Sequence, residues 1–375
     1  MSARRSPGHG SARQGHGAAR RGPTEIAFRV AASPRIGFGH LVRAVHLADA
    51  LGVPARISLR GTVAAATARR LGVEVLPPAH DVVVHADLAL LVIDDPSLAA
   101  AMPWLRAARR AGVPVASFHD VGIAPLTSDL AIDGSLGARR ARGLGADAAA
   151  CRLGAQYAVL GPAVRQLRHP NGRAAAVRRA VLVGLGGGQQ AAMGRSIAGA
   201  LRAELDRVPG LSRVQVLLSL GMDSSVASGS SALPPGVEVV PPARFREALA
   251  QAAVAVVAGG TTLYEACALG TPVVAVPVVP GQAPTVRRFV RAGLAAAARG
   301  AAGVGADVVG TAAWGRAAAR AAVALLADDA RRASLSRRGR SAIDGRGAER
   351  VALAMAALRS KPRRGTGDDE TVKRR

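Results

Sequence analysis

The feature that most constrains this chain is an alternation running from Thr24 to about residue 360. Short apolar runs are followed again and again by segments of helical periodicity. The first set of runs is Ile26–Ala32, Ala55–Leu59, Val73–Leu76, Leu88–Asp94, Val113–Phe118 and Leu130–Asp133, with Tyr157–Leu160 read as a last strand. Helical patterns fall between them at His40–Leu51, Thr62–Leu71 and Pro96–Ala111. Gly161–Arg179, with Pro162, Pro170, Asn171 and Gly172, has linker chemistry. The alternation then restarts with strands at Val181–Gly184, Val214–Leu220, Val237–Val240, Val254–Ala258 and Val273–Val276. Helical segments are expected at Gln190–Leu205, Arg244–Ala252, Thr261–Leu269 and Ala283–Ala292, and a closing run at Thr311–Leu326, Ala330–Ser341 and Arg346–Leu358.

Strands that alternate with helices require a parallel sheet covered on both faces. The expected fold is therefore α/β, with two doubly wound, Rossmann-like domains facing each other across a cleft. Their bounds are 24–165 and 180–360, joined by a linker at 166–179. Residues 1–23 read as a disordered basic tail and 361–375 as a disordered charged one.

Hydrophobic residues make up 49% of the chain and aromatics only 2%, so the core must be built of Ala, Val and Leu. The formal charge of +25 is carried by arginine, Lys361 and Lys373 being the only lysines. Such a charge can mark a nucleic-acid partner, but the arginines are scattered and no aromatic platform accompanies them. A coding bias towards Arg, Ala, Gly and Pro is the preferred explanation, and no specific nucleic acid is expected. Cys151 and Cys267 lack any paired spacing, which argues against a disulfide framework or a zinc site. No apolar run is long enough to span a membrane. Glu25 and Arg29 interrupt the place where the apolar core of a signal peptide would lie, and a cytoplasmic location is expected.

Chemistry concentrates in glycine loops at strand ends. The first is Gly37-Phe38-Gly39-His40, between a strand and the helix that carries Arg43. Glycine allows sharp turns and close backbone approach, and a helix start favours anions. Gly37 and Gly39 match the first two positions of a dinucleotide fingerprint, but Val42 replaces the third. The next strand ends in Arg60 rather than an acid, leaving NADP as a minor reading. His40, directly after the second glycine, is expected to be neutral under the helix dipole and available as a general base, with helix capping as the alternative. His46 is expected to be packed or solvated.

The second loop, Gly259-Gly260-Thr261-Thr262, suits a diphosphate, and Glu265 one turn on suits the hydroxyls of a ribose. Gly186-Gly187-Gly188 and Gln282 follow other strand ends in the same half. Asp94 and Asp95 end a strand, and one of them is expected to reach the cleft, with a cap on the helix after Pro96 as the alternative. His119, Asp120 and Asp129 are as compatible with turns as with ligand contacts. These acids are too dispersed in sequence to specify a metal site.

The run Gly37, Gly39, His40, Arg43, Leu47, Ala48 and Leu51 resembles the G-x-G-H-x-x-R…L-A-x-x-L opening of the UDP-sugar hydrolases of pseudaminic acid synthesis and of spore-coat polysaccharide biosynthesis proteins. Asp94-Asp95, His119-Asp120, Tyr157–Pro162, Val181–Gly188, Gly259–Glu265 and Gln282 follow in the same order, over about residues 25–295. These later motifs are shared with GT-B glycosyltransferases, including the UDP-N-acetylglucosamine transferase of peptidoglycan synthesis. The resemblance implies a GT-B fold, a UDP-sugar held mainly by the C-terminal half, no cofactor or metal, and His40 activating the nucleophile. It assigns substrate contacts to Gly37, Gly39, Arg43, Asp95, Gly186, Gly187, Gly259, Gly260, Thr261, Thr262, Glu265 and Gln282. Pro96-Ser97, Gly188-Gln189 and Gly281 depart from the hydrolase pattern. Expected, then, is cleavage of the anomeric C–O bond of a UDP-sugar in surface-glycan biosynthesis. The alternatives are transfer of the sugar to a glycan hydroxyl and non-catalytic nucleotide-sugar binding.

Overall fold

The computed structural model describes residues 25–33, 36–54, 56–61, 64–76, 84–85, 87–120, 128–139, 151–168, 180–186, 190–221, 233–298 and 312–360. Gly187, both tails and linker residues 169–179 lie outside the described residues.

Two parallel sheets organise the chain. The first contains β1 (Glu25–Ala31), β2 (Arg56–Arg60), β3 (Glu74–Val75), β4 (Leu88–Asp94), β5 (Val115–Phe118), β6 (Leu130–Asp133) and β7 (Cys151–Leu153), in the order β3-β2-β1-β4-β5-β6-β7. The second contains β8 (Ala180–Gly184), β9 (Gln215–Ser219), β10 (Val237–Val239), β11 (Val254–Ala258), β12 (Val273–Val276) and β13 (Ala296–Ala297), in the order β10-β9-β8-β11-β12-β13. The central strands β4 and β11 are buried at every position, which is why both read as unbroken apolar runs. In each sheet the strand order reverses beside its first strand, between β1 and β4 and between β8 and β11. Ligands of doubly wound sheets bind outside the carboxyl ends of the strands at such reversals. Both principal glycine loops stand at these two points.

Helix α1 (Gly39–Leu51) buries Leu41, Ala44, Leu47 and Ala48 against the first sheet and ends at Gly52 in the left-handed conformation. Opposite it, α3 (Leu98–Arg110) starts at Ser97, whose side chain accepts from the Ala100 N–H. The short α2 (Ala64–Arg70) precedes β3. In the second half, α5 (Ala191–Arg207) and α9 (Ala312–Leu326) cover one face of the sheet. The other face is covered by α6 (Phe245–Gln251), α7 (Thr261–Leu269) and α8 (Ala283–Arg291). Helix α10 (Asp329–Ala342) packs on α7, where Gly339 lets the two backbones approach: a Cβ there would lie 3.0 Å from the Cys267 oxygen.

Several expectations are corrected. Residues 155–157 form a 3₁₀ turn, and the last strand of the first sheet is β7, just before it. Pro162–Leu167, read as linker, is helix α4, with proline at its first position where no N–H is needed. Its Val164 joins the core of the second half, together with Ala155 and Leu160. The closing helix α11 (Gly347–Arg359) was grouped with the second half, yet Val351, Ala352, Met355 and Leu358 pack into the core beneath α1. Gly347 enables this seat, since a Cβ there would lie 2.0 Å from the Ala158 oxygen. The chain thus crosses between its halves before β8 and returns at α11.

Candidate functional site

The site is built where the loops after β1, β4 and β5 adjoin. Gly37, at φ +89°, turns the chain out of β1, and Phe38 leads into α1 without a side-chain cap. One turn of α1 places His40 and Arg43 on the same face, above the end of β4. The His40 Nδ1 lies 2.7 Å from Asp94 Oδ1. Asp94 is buried and anionic, so it only accepts, and the proton must sit on Nδ1. The ring is then oriented with Nε2 left for another proton. Arg43 donates from Nε to Asp94 Oδ2 at 2.7 Å and from Nη2 to Oδ1 at 2.6 Å. Its Nη1 and Nη2 also reach the two Asp120 oxygens at 2.9 and 2.8 Å, and its guanidinium lies 4.6 Å over the Phe118 ring. Arg43 Nη2 stands 3.1 Å from His40 Nδ1, but both are donors, and they meet through the shared Asp94 oxygen.

These contacts decide the charges. Burial alone would lower the proton affinity of His40, but the charge and hydrogen bond of Asp94 outweigh it and raise the pKa above the ordinary value. The expected neutral, dipole-depressed imidazole is thereby corrected. Burial would raise the pKa of both Asp94 and Asp120, yet Arg43 holds each below the usual carboxylate range. Candidate ligand atoms of His40, Asp94 and Asp120 lie within 4.8 Å of one another, close enough in principle for a cation. The Arg43 guanidinium already fills that space and bonds both carboxylates.

Asp95, the acid assigned to the cleft, belongs elsewhere. Its carboxylate takes a two-pronged bond from Arg60 at 2.8 and 2.6 Å and accepts the Ser97 N–H at 2.9 Å. It therefore anchors β2 and the start of α3, and the same bonds occupy Arg60, the candidate for a 2′-phosphate. Asp129 accepts the Val115 N–H as a turn residue, and His119 is buried and bonded to Ser117 at 2.7 Å. His46 is packed, with its ring against Gly161, and burial with nearby Arg246 pushes its pKa down to about 4.

The second glycine loop faces the first. A Cβ on Gly39 would lie 3.5 Å from Thr261 Oγ1, so the two loops meet across the reversal points of their sheets. Gly260 precedes α7 with no side-chain cap and no acid in the first turn, leaving the N–H end of the helix open to an anion. Gly259 is required by packing, since a Cβ would lie 2.8 Å from Val286 and 3.0 Å from the Gln282 Cβ. Gln282 accepts the Val278 N–H at 3.0 Å and braces the loop from behind, its Nε2 3.8 Å from the Cβ position of Gly260. Thr262 is half-buried in the first turn of α7. Glu265 is buried and paired with Arg246 at 3.0 Å. Gly186, at φ +101°, turns the chain out of β8 on the neighbouring strand.

An open cleft runs between the halves. Arg43, Phe118, Asp120, Gly134, Ser135 and Tyr157 line it from one side, Thr261 and Tyr264 from the other. The chain has two tyrosines, and both line this cleft. Tyr264 also links the halves: its hydroxyl accepts the Leu136 N–H at 3.0 Å, and burial pushes its pKa up to about 12.

No known family profile matches the chain, and no curated protein does. Solved structures, however, match along almost its whole length. The spinosyn rhamnosyltransferase SpnG, at 16% identity, aligns with TM-score 0.57 over 90% of this chain and 100% of its own. MurG of Acinetobacter baumannii, at 14% identity, gives 0.57 over 89% and 100%. A putative UDP-N-acetylglucosamine 2-epimerase from Listeria monocytogenes, at 10% identity, gives 0.52 over 91% and 98%. The fold is GT-B. The names of these neighbours include a rhamnosyltransferase and a putative epimerase, so the reaction has to be argued from the site. None of the helices of the described residues is long and apolar enough to cross a membrane.

Proposed function

We propose that this chain is a nucleotide-sugar enzyme that cleaves the anomeric C–O bond of a UDP-sugar, with His40 as general base. The observation that carries the reading is the His40–Asp94 pair standing one residue from the contact between Gly39 and Thr261. A base thus stands close to an anion-favouring helix start. In the proposed step His40 Nε2 takes the proton of the attacking hydroxyl as its oxygen bonds to the anomeric carbon. The bond to the β-phosphate oxygen breaks, and its electron pair leaves with the nucleotide. Asp94 stabilises the imidazolium that forms. The start of α7, at Gly260, Thr261 and Thr262, receives the diphosphate charge. Glu265 is assigned to the ribose hydroxyls and Gln282 to holding the loop. A single displacement of this kind inverts the anomeric centre.

The G-x-G-H opening favours water as nucleophile. A second reading, transfer to a glycan hydroxyl, is favoured by the cleft wall of Asp120, Ser135 and Tyr157, which offers groups suited to a polyol. Purified protein incubated with a panel of UDP-sugars separates them. UDP release in buffer supports hydrolysis, and release only on adding a sugar acceptor supports transfer. No release under either condition by the wild type, or equal release by His40→Ala, would end the proposal.

A further inference from the structure

Deepening the proposed reading and resting on His40 as its base, we infer that Asp120 is a positioning residue that acts on His40 through Arg43 and Asp94. The geometry is a chain of four side chains. Asp120 takes one edge of the Arg43 guanidinium with bonds of 2.9 and 2.8 Å, and Asp94 takes another with bonds of 2.7 and 2.6 Å. Asp94 in turn holds His40 Nδ1 at 2.7 Å. A planar guanidinium gripped on two edges cannot swivel, and the Phe118 ring fixes its face. Asp94 is thereby presented to the imidazole in one orientation.

The charge count supplies a second reason. Among the described residues, the charged groups that face His40 are Asp94 from the end of β4, Arg43 from its own helix and Asp120 just after β5. Arg43 and Asp94 are neutral together, so Asp94 supports an imidazolium through its direct contact while Arg43 opposes it. Asp120 makes the set net negative, so the positive ring formed when the base takes its proton has an uncompensated anion close by. Asp120 also lines the cleft and is the more exposed of the two acids, its side chain 36% accessible against 3% for Asp94.

Asp120→Asn keeps the shape and removes the charge. Histidine ring titration followed by NMR on the full chain, with His40 assigned by the signal lost in His40→Gln, reads the effect without any substrate. The expected result is a His40 midpoint displaced to lower pH in Asp120→Asn and returned towards the wild-type value in Asp120→Glu. An unchanged His46 signal verifies the fold. On the UDP-sugar that the wild type turns over, kcat falls about tenfold with KM within about twofold, and the acid limb of the rate profile moves to lower pH. An unmoved His40 midpoint overturns the inference, as does a rise in KM at constant kcat, which would make Asp120 a substrate contact. If the wild type turns over no UDP-sugar, the functional reading fails while the titration still decides the role of Asp120.

Discussion

Replacing Asp94 by asparagine strikes the centre of the site. The carboxylate is buried and accepts three short bonds, two from Arg43 and one from His40. Asparagine keeps one acceptor oxygen, which at the Oδ1 position still serves Arg43 Nη2 and His40 Nδ1, but it turns an N–H₂ group towards the Arg43 Nε donor and removes the negative charge. Breaking a buried ion pair costs about 3–5 kcal/mol, and the retained oxygen brings the expected loss to about 3 kcal/mol. For a domain of this size that lowers Tm by roughly 6–12 °C. Turnover suffers more than stability, because the imidazolium loses its counter-charge, and kcat should fall by about 10²–10⁴. The assay is UDP release at saturating UDP-sugar for Asp94→Asn, His40→Gln and the double variant, each with a thermal melt. Groups that act as a unit are not additive, so the double variant should be no slower than the worse single one. Losses that multiply in the double variant, or an Asp94→Asn enzyme with wild-type kcat, would refute the pairing.

Other consequences follow from the packing between the halves. His46 titrates at about 4 in the fold against about 6.5 in a free chain, so the unfolded state binds more protons between these values. Its contribution is therefore complete above pH 6.5 and is lost as pH falls towards 4, an effect of about 3 kcal/mol that His46→Gln should flatten in urea titrations across this window. Gly347→Ala places a methyl against the Ala158 carbonyl and should destabilise the seat of α11 by about 1–3 kcal/mol, read as faster hydrogen exchange in residues 347–359. Tyr264→Phe removes the acceptor for the Leu136 N–H and should cost about 1 kcal/mol in urea unfolding.

Much of this was legible beforehand because hydropathy reports burial directly. The buried strands β4 and β11 declared themselves as apolar runs, and the glycine loops marked the turns after β1 and β11. What hydropathy could not give was facing. Every residue of β4 is buried, so no alternation told which of Asp94 and Asp95 met the site, and the structure chose Asp94. Strand order was equally hidden: Asp120 becomes a neighbour of His40 because β5 lies beside β4 and β4 beside β1. The raised proton affinity of His40 is hidden for the same reason, since the helix dipole is a local property and the Asp94 carboxylate a distant one in sequence. Helix α11 has an ordinary amphipathic pattern that does not say which core it will cover. Strand β13, with two alanines, is too short to carry a pattern.

The central claim is spatial: a base in one half looks at a diphosphate held by the other. A crystal of this protein soaked with uridine diphosphate tests it most directly. The account predicts the diphosphate on the backbone of residues 260–262 at the start of α7, with the ribose towards Glu265 and the terminal phosphate directed at the His40 side of the cleft. A nucleotide bound away from that helix start, or one whose terminal phosphate is walled off from His40 by protein, would contradict it.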